Sequence, residues 1–262
     1  MSEFETIRFE HVGAIARITL AKPKQFNATS PTMVGEILRA LDETEANKAR
    51  VLVISGEGPA FSSGAEIKDK EGRLLLTGDL GQVLEDLYNP LLGRLMHFPI
   101  PIISLVNGVA AGAGCSLALA ADFVVASRSA YFLMAFVKIG LVPDMGATWL
   151  LPRLVGLSRA TSLLMLGDRL NAETAEQWGM IHKCVDPDDL ERYGAELAAR
   201  LGSGPTVAYG LLRSSLRAAL HQPLGESLER ERRDQRTAGY TRDCAEGVDA
   251  FVNKRLAVFT GE

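Results

Sequence analysis

Two loops rich in glycine and alanine are the first features of this chain that could do chemistry. The first covers residues 56–67 and follows the apolar, β-branched stretch 51–54; the second covers residues 107–115 and follows the apolar stretch 100–106. Small residues let another group approach the backbone closely. The first amides of a helix lack partners within the helix and favour an anion. Two such loops on one sheet could direct two N–H groups at one oxygen, forming an oxyanion hole. Two ordinary glycine-rich turns are the alternative.

A carboxylate that could take and return a proton lies further along the chain. Asp144 follows Val142 and Pro143 and precedes Met145, so its neighbours are mostly apolar. Burial in such surroundings would raise its pKa toward neutrality, which suits general acid/base chemistry. An aspartate between a proline and a helical stretch is also a common N-cap or turn residue. The local pattern leaves both roles open.

Other motifs for chemistry are missing from the sequence. The four histidines are not at metal-ligand spacing and there is no C-x-x-C, so we expect no metal site. The sequence lacks a G-x-S-x-G and a G-x-x-x-x-G-K-[ST], which disfavours a serine hydrolase and a P-loop. Leu117 occupies the third glycine position of a G-x-G-x-x-G that begins at Gly112, which disfavours a dinucleotide site.

The elements that must position these loops alternate between strands and helices. After residue 186 only helical patterns remain, so we predict an α/β core over residues 1–200 and a helical region over residues 201–262. We predict loosely packed helices over 70–97. The predicted strands are 6–11, 14–20, 51–54, 100–106, 123–126 and 131–133. The other predicted helices are one starting at Ser30-Pro31, a buried one at 112–121, and 188–201, 205–220, 224–238 and 241–258.

Composition limits the class of protein. The chain has 262 residues, 47% of them hydrophobic and 23% charged, with a net charge of −4, and we expect no nucleic-acid partner. Its apolar stretches are too short to span a bilayer and its acidic N-terminus is not a signal peptide. Its three cysteines are scattered and odd in number, which suits a reducing cytosol. We therefore expect a cytoplasmic protein without a membrane partner.

Six segments, in order, resemble the crotonase (enoyl-CoA hydratase/isomerase) superfamily. Segment 61–67 resembles its F-x-x-G-x-D-[IL] oxyanion segment, and 107–114 its N-G-x-x-x-G-x-G segment. Segment 22–28 resembles the N-terminal coenzyme A loop. The remaining matches are GLVPDMGAT at 140–148, AETAEQWGMI at 172–181 and FVNKR at 251–255.

The resemblance implies a spiral of ββα units with a C-terminal helical trimerisation region, hence a homotrimer or a dimer of trimers. It implies an acyl-CoA substrate, whose coenzyme A enters as part of the thioester and not as a separate cofactor. It also implies that the backbone amides of Ala65 and Ala113 bind the thioester oxygen, and that Phe251 approaches coenzyme A from a neighbouring subunit. The substrate-binding residues implied are Lys24, Phe26, Ala28, Ser63, Ala65, Glu66, Ile67, Gly112, Ala113, Phe136, Pro143, Asp144, Phe251 and Lys254.

The positions of acidic residues favour one branch of this superfamily. Hydratases usually use two glutamates, and those positions here align with Ser116 and Phe136, neither of which can act as a base. Segment 135–144 most resembles the ring-epoxyphenylacetyl-CoA isomerase subgroup, and several isomerases carry a single carboxylate at the position of Asp144. The resemblance thus implies an acyl-CoA isomerase with Asp144 as the catalytic acid/base. The alternatives are a hydratase, a CoA-thioester hydrolase or ring-modifying enzyme, and an RNA-binding crotonase.

Overall fold

The computed structural model describes residues 4–68, 71–75 and 77–262. Over these residues the strands form a six-stranded sheet with the order β1-β2-β3-β5-β7-β10 and a four-stranded sheet with the order β4-β6-β8-β9. The strands are β1 Ile7–Val12, β2 Ile15–Leu20, β3 Val51–Gly56, β4 Ala60–Ser62, β5 Ile102–Val106, β6 Val109–Ala111, β7 Phe123–Ser127, β8 Tyr131–Leu133, β9 Arg169–Asn171 and β10 Lys183–Val185.

The order of the strands explains how the two loops come to lie side by side. Strands β3, β5 and β7 are parallel neighbours in the large sheet, and each is followed by a short strand, β4, β6 or β8, of the small sheet. Because β4 and β6 are also parallel neighbours, the loops that follow them leave the small sheet at the same edge. The repeated strand pairs confirm the predicted α/β class and the arrangement of ββα units.

The helices pack around these sheets and extend beyond them. The helices are α1 Pro31–Ala46, α2 Leu80–Val83, α3 Asn89–Met96, α4 Ala113–Leu119, α5 Ala147–Val155, α6 Leu157–Leu166, α7 Ala172–Gln177, α8 Leu190–Gly202, α9 Thr206–Ala219, α10 Leu224–Gly239 and α11 Arg242–Val252. Helix α1 starts as predicted, with Pro31 first and the Ser30 side chain accepting the Met33 amide at 3.2 Å. Every residue of α4 is buried, as its small apolar sequence predicts.

Several predicted boundaries differ from the structure. Strands β4, β6, β9 and β10 have three residues each and were not predicted, because so short a stretch shows no period. The last helix was predicted to reach residue 258 but ends at Val252, because Lys254 takes a left-handed φ of 52° and the chain turns back. The buried Asp243 carboxylate then accepts the amides of Thr260 and Gly261, which anchors the tail.

The segment predicted as loosely packed helices is well packed in its second half. Lys70 and residue 76 lie outside the described residues. Between α2 and α3 the helix widens into a π-helical turn, Leu84–Tyr88. Tyr88, Leu91 and Leu95 are buried in the core, so this part of the chain is tied to the main body.

The boundary predicted between residues 200 and 201 stays a prediction. Helix α8 packs against the large sheet, with Leu190 and Ala198 buried in the same cluster as Leu105. Helix α9 is joined to the core by Arg213 and Arg217, which both pair with Asp122.

Within the described residues, no helix is both long and apolar enough to cross a bilayer.

Candidate active site

The first loop is held in place by a neighbouring stretch of chain, residues 22–29. The buried Asn27 side chain accepts the Lys22 amide at 2.9 Å and donates to the carbonyl of Ala60 at 2.8 Å. Alongside, the Ser63 amide donates to Phe26 at 2.9 Å. Through these bonds two stretches of backbone lie side by side. They carry the predicted substrate-binding residues Lys24, Phe26, Ala28 and Ser63. They form the outer wall of the first loop.

The backbone pairing at Thr29 leaves the amide of Ala65 without a partner. Thr29 donates its amide to the Gly64 carbonyl at 2.8 Å and accepts the Glu66 amide at 3.0 Å. In this parallel bridge, residue 65 directs its own N–H away from Thr29. No backbone acceptor for that N–H is found among residues 4–68, 71–75 and 77–262. Ala65 therefore presents a free donor on the side opposite Thr29.

The second loop presents a similar donor next to the first loop. Ala113 is the first residue of α4, and its amide has no backbone acceptor in the described part of the chain. Gly64 has φ of 95°, and a Cβ there would lie 2.8 Å from the Ala111 carbonyl and 3.4 Å from the Ala113 nitrogen. The two loops are thus in contact, and only glycine fits at position 64. The arrangement can hold one carbonyl oxygen between two amides.

Asp144 lies in the turn before α5, in apolar surroundings. Burial raises the pKa of its carboxyl group to about 6. Its Oδ1 atom is buried and has no hydrogen-bond partner within the described structure. The Ser116 hydroxyl, on α4, donates to the Asp144 main-chain carbonyl at 3.2 Å, so this turn is attached to the helix that begins at Ala113. A carboxyl group in this state can exchange a proton near neutral pH.

The two positions at which the resemblance would place hydratase glutamates hold no carboxylate. Ser116 is fully buried, and its hydroxyl is bonded to the turn of Asp144. Phe136 is buried, and its ring would lie 3.7 Å from a Cβ at Gly112. The phenyl ring therefore stands against the second loop and makes that part of the site apolar.

Tyr88 belongs to the site and was not predicted from the sequence. Its hydroxyl donates to the Thr29 carbonyl at 3.1 Å and lies 3.2 Å from the Thr29 hydroxyl. Burial raises its pKa, the Thr29 hydrogen bond opposes this rise, and the negative charges of Asp144 and Glu66 add smaller increases. The one sequence signal was a tyrosine among leucines of a helical segment, where its hydroxyl needs a partner.

Other predicted residues lie apart from the loops. Phe251 is 86% exposed at the end of α11, with Lys254 exposed just beyond it. Among the described residues, no backbone hydrogen bond joins either residue to the loops, and Ile67, the last residue of the first loop, is half exposed. Cys115 lies in buried α4, where burial raises the pKa of its thiol to about 12 and leaves it a poor nucleophile. No cluster of three or more metal-ligating side chains occurs among the described residues.

Known proteins resemble this chain over nearly its whole length. Residues 10–262 match the family model described as enoyl-CoA hydratase/isomerase. The chain is 42% identical over 252 residues to 1,2-epoxyphenylacetyl-CoA isomerase of Escherichia coli, covering 95% of each chain. It is 41% identical over 258 residues to "Probable enoyl-CoA hydratase" of Rhodobacter capsulatus, covering 98% of this chain and 99% of that one. A crystal structure of enoyl-CoA hydratase subunit I from Geobacillus kaustophilus superposes with a TM-score of 0.92 at 35% identity, over 100% of both chains.

Proposed function

The chain belongs to the enoyl-CoA hydratase/isomerase family, and from that premise we propose that it is an acyl-CoA isomerase with Asp144 as its acid/base group. The observation that carries the proposal is the state of the Asp144 carboxyl group. It has a buried oxygen without a hydrogen-bond partner, and its pKa is raised by burial to about 6. The positions of both hydratase glutamates hold Ser116 and Phe136 instead.

The proposed reaction moves one proton between two carbons of the acyl group. The thioester oxygen accepts hydrogen bonds from the amides of Ala65 and Ala113. The Asp144 carboxylate then takes a proton from a carbon next to the carbonyl or conjugated with it. The electrons of that C–H bond pass into an enolate, whose negative oxygen the two amides stabilise. Asp144 returns the same proton to another carbon of the conjugated system, which shifts the double bond and restores the carboxylate.

Coenzyme A is proposed to bind along the outer wall of the first loop. Lys24 is exposed in the turn Pro23–Gln25, where its ammonium group can reach a phosphate. Phe251 and Lys254 are exposed and remote from the loops of their own chain, so we propose that they meet the coenzyme A of a neighbouring subunit. This requires an oligomer, which we propose to be the homotrimer or dimer of trimers that the family resemblance implies.

Hydration of a 2-enoyl-CoA is the second candidate, since relatives such as the Rhodobacter capsulatus protein carry that name. It would need Asp144 alone to activate a water molecule beside the Phe136 ring. Hydrolysis of the thioester through a covalent cysteine intermediate is disfavoured, because the buried Cys115 thiol is a poor nucleophile.

The test is turnover of 3-enoyl-, 2-enoyl- and ring-epoxide CoA thioesters in oxygen-18 water. We expect isomerised product from the 3-enoyl or the ring-epoxide substrate without oxygen-18 in the acyl group. A dominant conversion of 2-enoyl-CoA to oxygen-18-labelled 3-hydroxyacyl-CoA would establish the hydratase instead. Release of free coenzyme A, measured with a thiol reagent, would identify a hydrolase.

A further inference from the structure

The Tyr88 hydroxyl has one defined hydrogen-bonding arrangement. A phenol carries one proton, and the Thr29 carbonyl, 3.1 Å away, can only accept it. The Thr29 hydroxyl, 3.2 Å away, therefore donates to the Tyr88 oxygen. Tyr88 is 5% exposed, so water does not compete for these bonds. Both contacts of the hydroxyl thus fall on a single residue, Thr29.

Thr29 is the residue that orients the Ala65 amide. Its amide and carbonyl bond to Gly64 and Glu66, on either side of Ala65. The Thr29 carbonyl accepts the Glu66 amide at 3.0 Å and also accepts the Tyr88 hydroxyl. Tyr88 therefore holds in place the residue that pairs with the first loop. If Thr29 moved, residues 64–66 would rotate with it. The free N–H of Ala65 would then point in a different direction.

The helical segment that carries Tyr88 also contacts the turn of Asp144. Leu92, one turn further along, lies so close to Gly146 that a Cβ there would be 2.7 Å from its Cδ2 atom. Tyr88 ends a π-helical turn, a conformation that is costly and that often marks functional sites. The segment therefore contacts Thr29, which pairs with the first loop (residues 56–67, the oxyanion loop), and it also contacts the turn of the acid/base group.

We propose that Tyr88 is a positioning residue, which through Thr29 fixes the direction of the Ala65 amide and joins the oxyanion loop to the helical segment 80–96. Tyr88 itself does not touch the reacting atoms. The inference rests on the proposed function, because it assumes that Ala65 binds the thioester oxygen.

The first experiment replaces Tyr88 by phenylalanine, with Tyr240→Phe, whose hydroxyl is exposed, as the matched control. The readouts are kcat, KM and the infrared C=O stretch of bound butyryl-CoA labelled with carbon-13 at the carbonyl. Loss of a whole oxyanion donor costs about 100- to 1,000-fold, so we expect a misdirected donor to lower kcat about tenfold with KM little changed. The carbonyl stretch, lowered by binding to the wild type, should move back toward its value in free thioester.

A double variant separates positioning from simple packing. Tyr88→Phe leaves the Thr29 hydroxyl without its acceptor, which alone could disturb the loop. Tyr88→Phe combined with Thr29→Val removes both hydroxyls, and we expect it to regain thermal stability while kcat and the carbonyl stretch stay impaired. Recovery of both would overturn the inference, as would a wild-type carbonyl stretch in Tyr88→Phe. Absence of any carbonyl shift in the wild type would count against the oxyanion hole, and so against the proposed function itself.

Discussion

Asp144 is the residue on which the proposed chemistry depends. Buried polar atoms are nearly always hydrogen-bonded, so the unpartnered Oδ1 atom requires an explanation. A turn or N-cap role would not provide one, because a capping oxygen accepts a backbone amide. A carboxylate that accepts a substrate proton would have such a free oxygen. The same burial that leaves the oxygen unpartnered raises the pKa to about 6.

Asp144→Asn should remove the base and keep the shape of the turn. We expect the isomerisation rate to fall by about 100-fold or more, the usual scale of general acid/base catalysis. In the wild type, kcat/KM should fall as the pH drops below about 6, because the protonated carboxyl can no longer accept a proton. The residual kcat/KM of Asp144→Asn should not show this fall at acidic pH. Steady-state rates between pH 5 and pH 8 measure both effects.

Asp188→Asn is the matched control, because Asp188 is an exposed carboxylate in the turn Pro187–Asp189. Its rate and its pH profile should match the wild type. Unchanged isomerase activity in folded Asp144→Asn would exclude Asp144 as the base. Glu85 and Asp86, exposed on the π-helical turn, would then be the next carboxylates to replace.

At the scale of secondary-structure elements, sequence patterns predicted the features that depend only on residues close together in the chain. The start of α1 and the buried α4 follow from capping residues and small apolar residues, and both lie within two residues of the predicted bounds. The two glycine-rich loops could be paired because both follow buried strands. The Tyr88–Thr29 contact could not be predicted, because 59 residues separate its partners and no pattern marks it. Four of the five three-residue strands, β4, β6, β9 and β10, were missed for lack of a measurable period.

Ala113→Pro tests the N-terminus of α4 as an oxyanion donor. Proline is favoured at the first position of a helix, so the substitution should remove one N–H and leave α4 folded. We expect about a 100- to 1,000-fold loss of rate. Leu157→Pro is the control, because Leu157 begins α6 and also follows a glycine with positive φ, 80°. Circular dichroism should report both variants folded. Full activity in Ala113→Pro would remove this amide from the site.

Glu36 joins α1 to the two residues that precede β1, Glu5 and Thr6, and gives a prediction about stability. Burial by itself would raise the pKa of Glu36, but hydrogen bonds from the Thr6 hydroxyl and from the amides of Glu5 and Thr6 outweigh it, so the pKa is lowered. A lowered pKa stabilises the fold above the ordinary glutamate range, and this contribution is lost as the pH falls through the folded-state value. Glu36→Gln should cost about 1–3 kcal/mol at pH 7.

Urea unfolding at pH 7 and at acidic pH measures this contribution. The difference in unfolding free energy between the wild type and Glu36→Gln should narrow as the pH falls below the usual range of a glutamate. Glu10→Gln, at an exposed position on β1, should show no such difference at either pH. A constant gap at all pH values would mean that Glu36 acts through packing and not through its charge.

At the scale of the whole molecule, the C-terminal helices of the single chain expose a large apolar surface. Helices α9 and α10 carry leucines that are exposed by half or more, and Phe251 and Val252 follow on α11. A groove of about 1000 Å³ with apolar residues such as Met96, Trp149 and Leu211 runs between α9 and the core. Contiguous exposed apolar surface usually marks an interface. The leucines concerned are Leu212, Leu216, Leu224 and Leu228, with Leu220 just after α9.

Leu216→Glu should therefore separate the subunits. Leu216 is 65% exposed in the single chain, so a glutamate costs the isolated subunit little but would place a charge in an apolar interface. Light scattering at micromolar concentration should give a trimer or a hexamer for the wild type and a smaller species for the variant. Val12→Glu, at a 77% exposed valine beside the β1–β2 turn, should keep the wild-type mass. If Phe251 and Lys254 meet the coenzyme A of a neighbouring subunit, the dissociated variant should also bind acyl-CoA more weakly. A wild type that is monomeric at this concentration would refute both the assembly and the shared site.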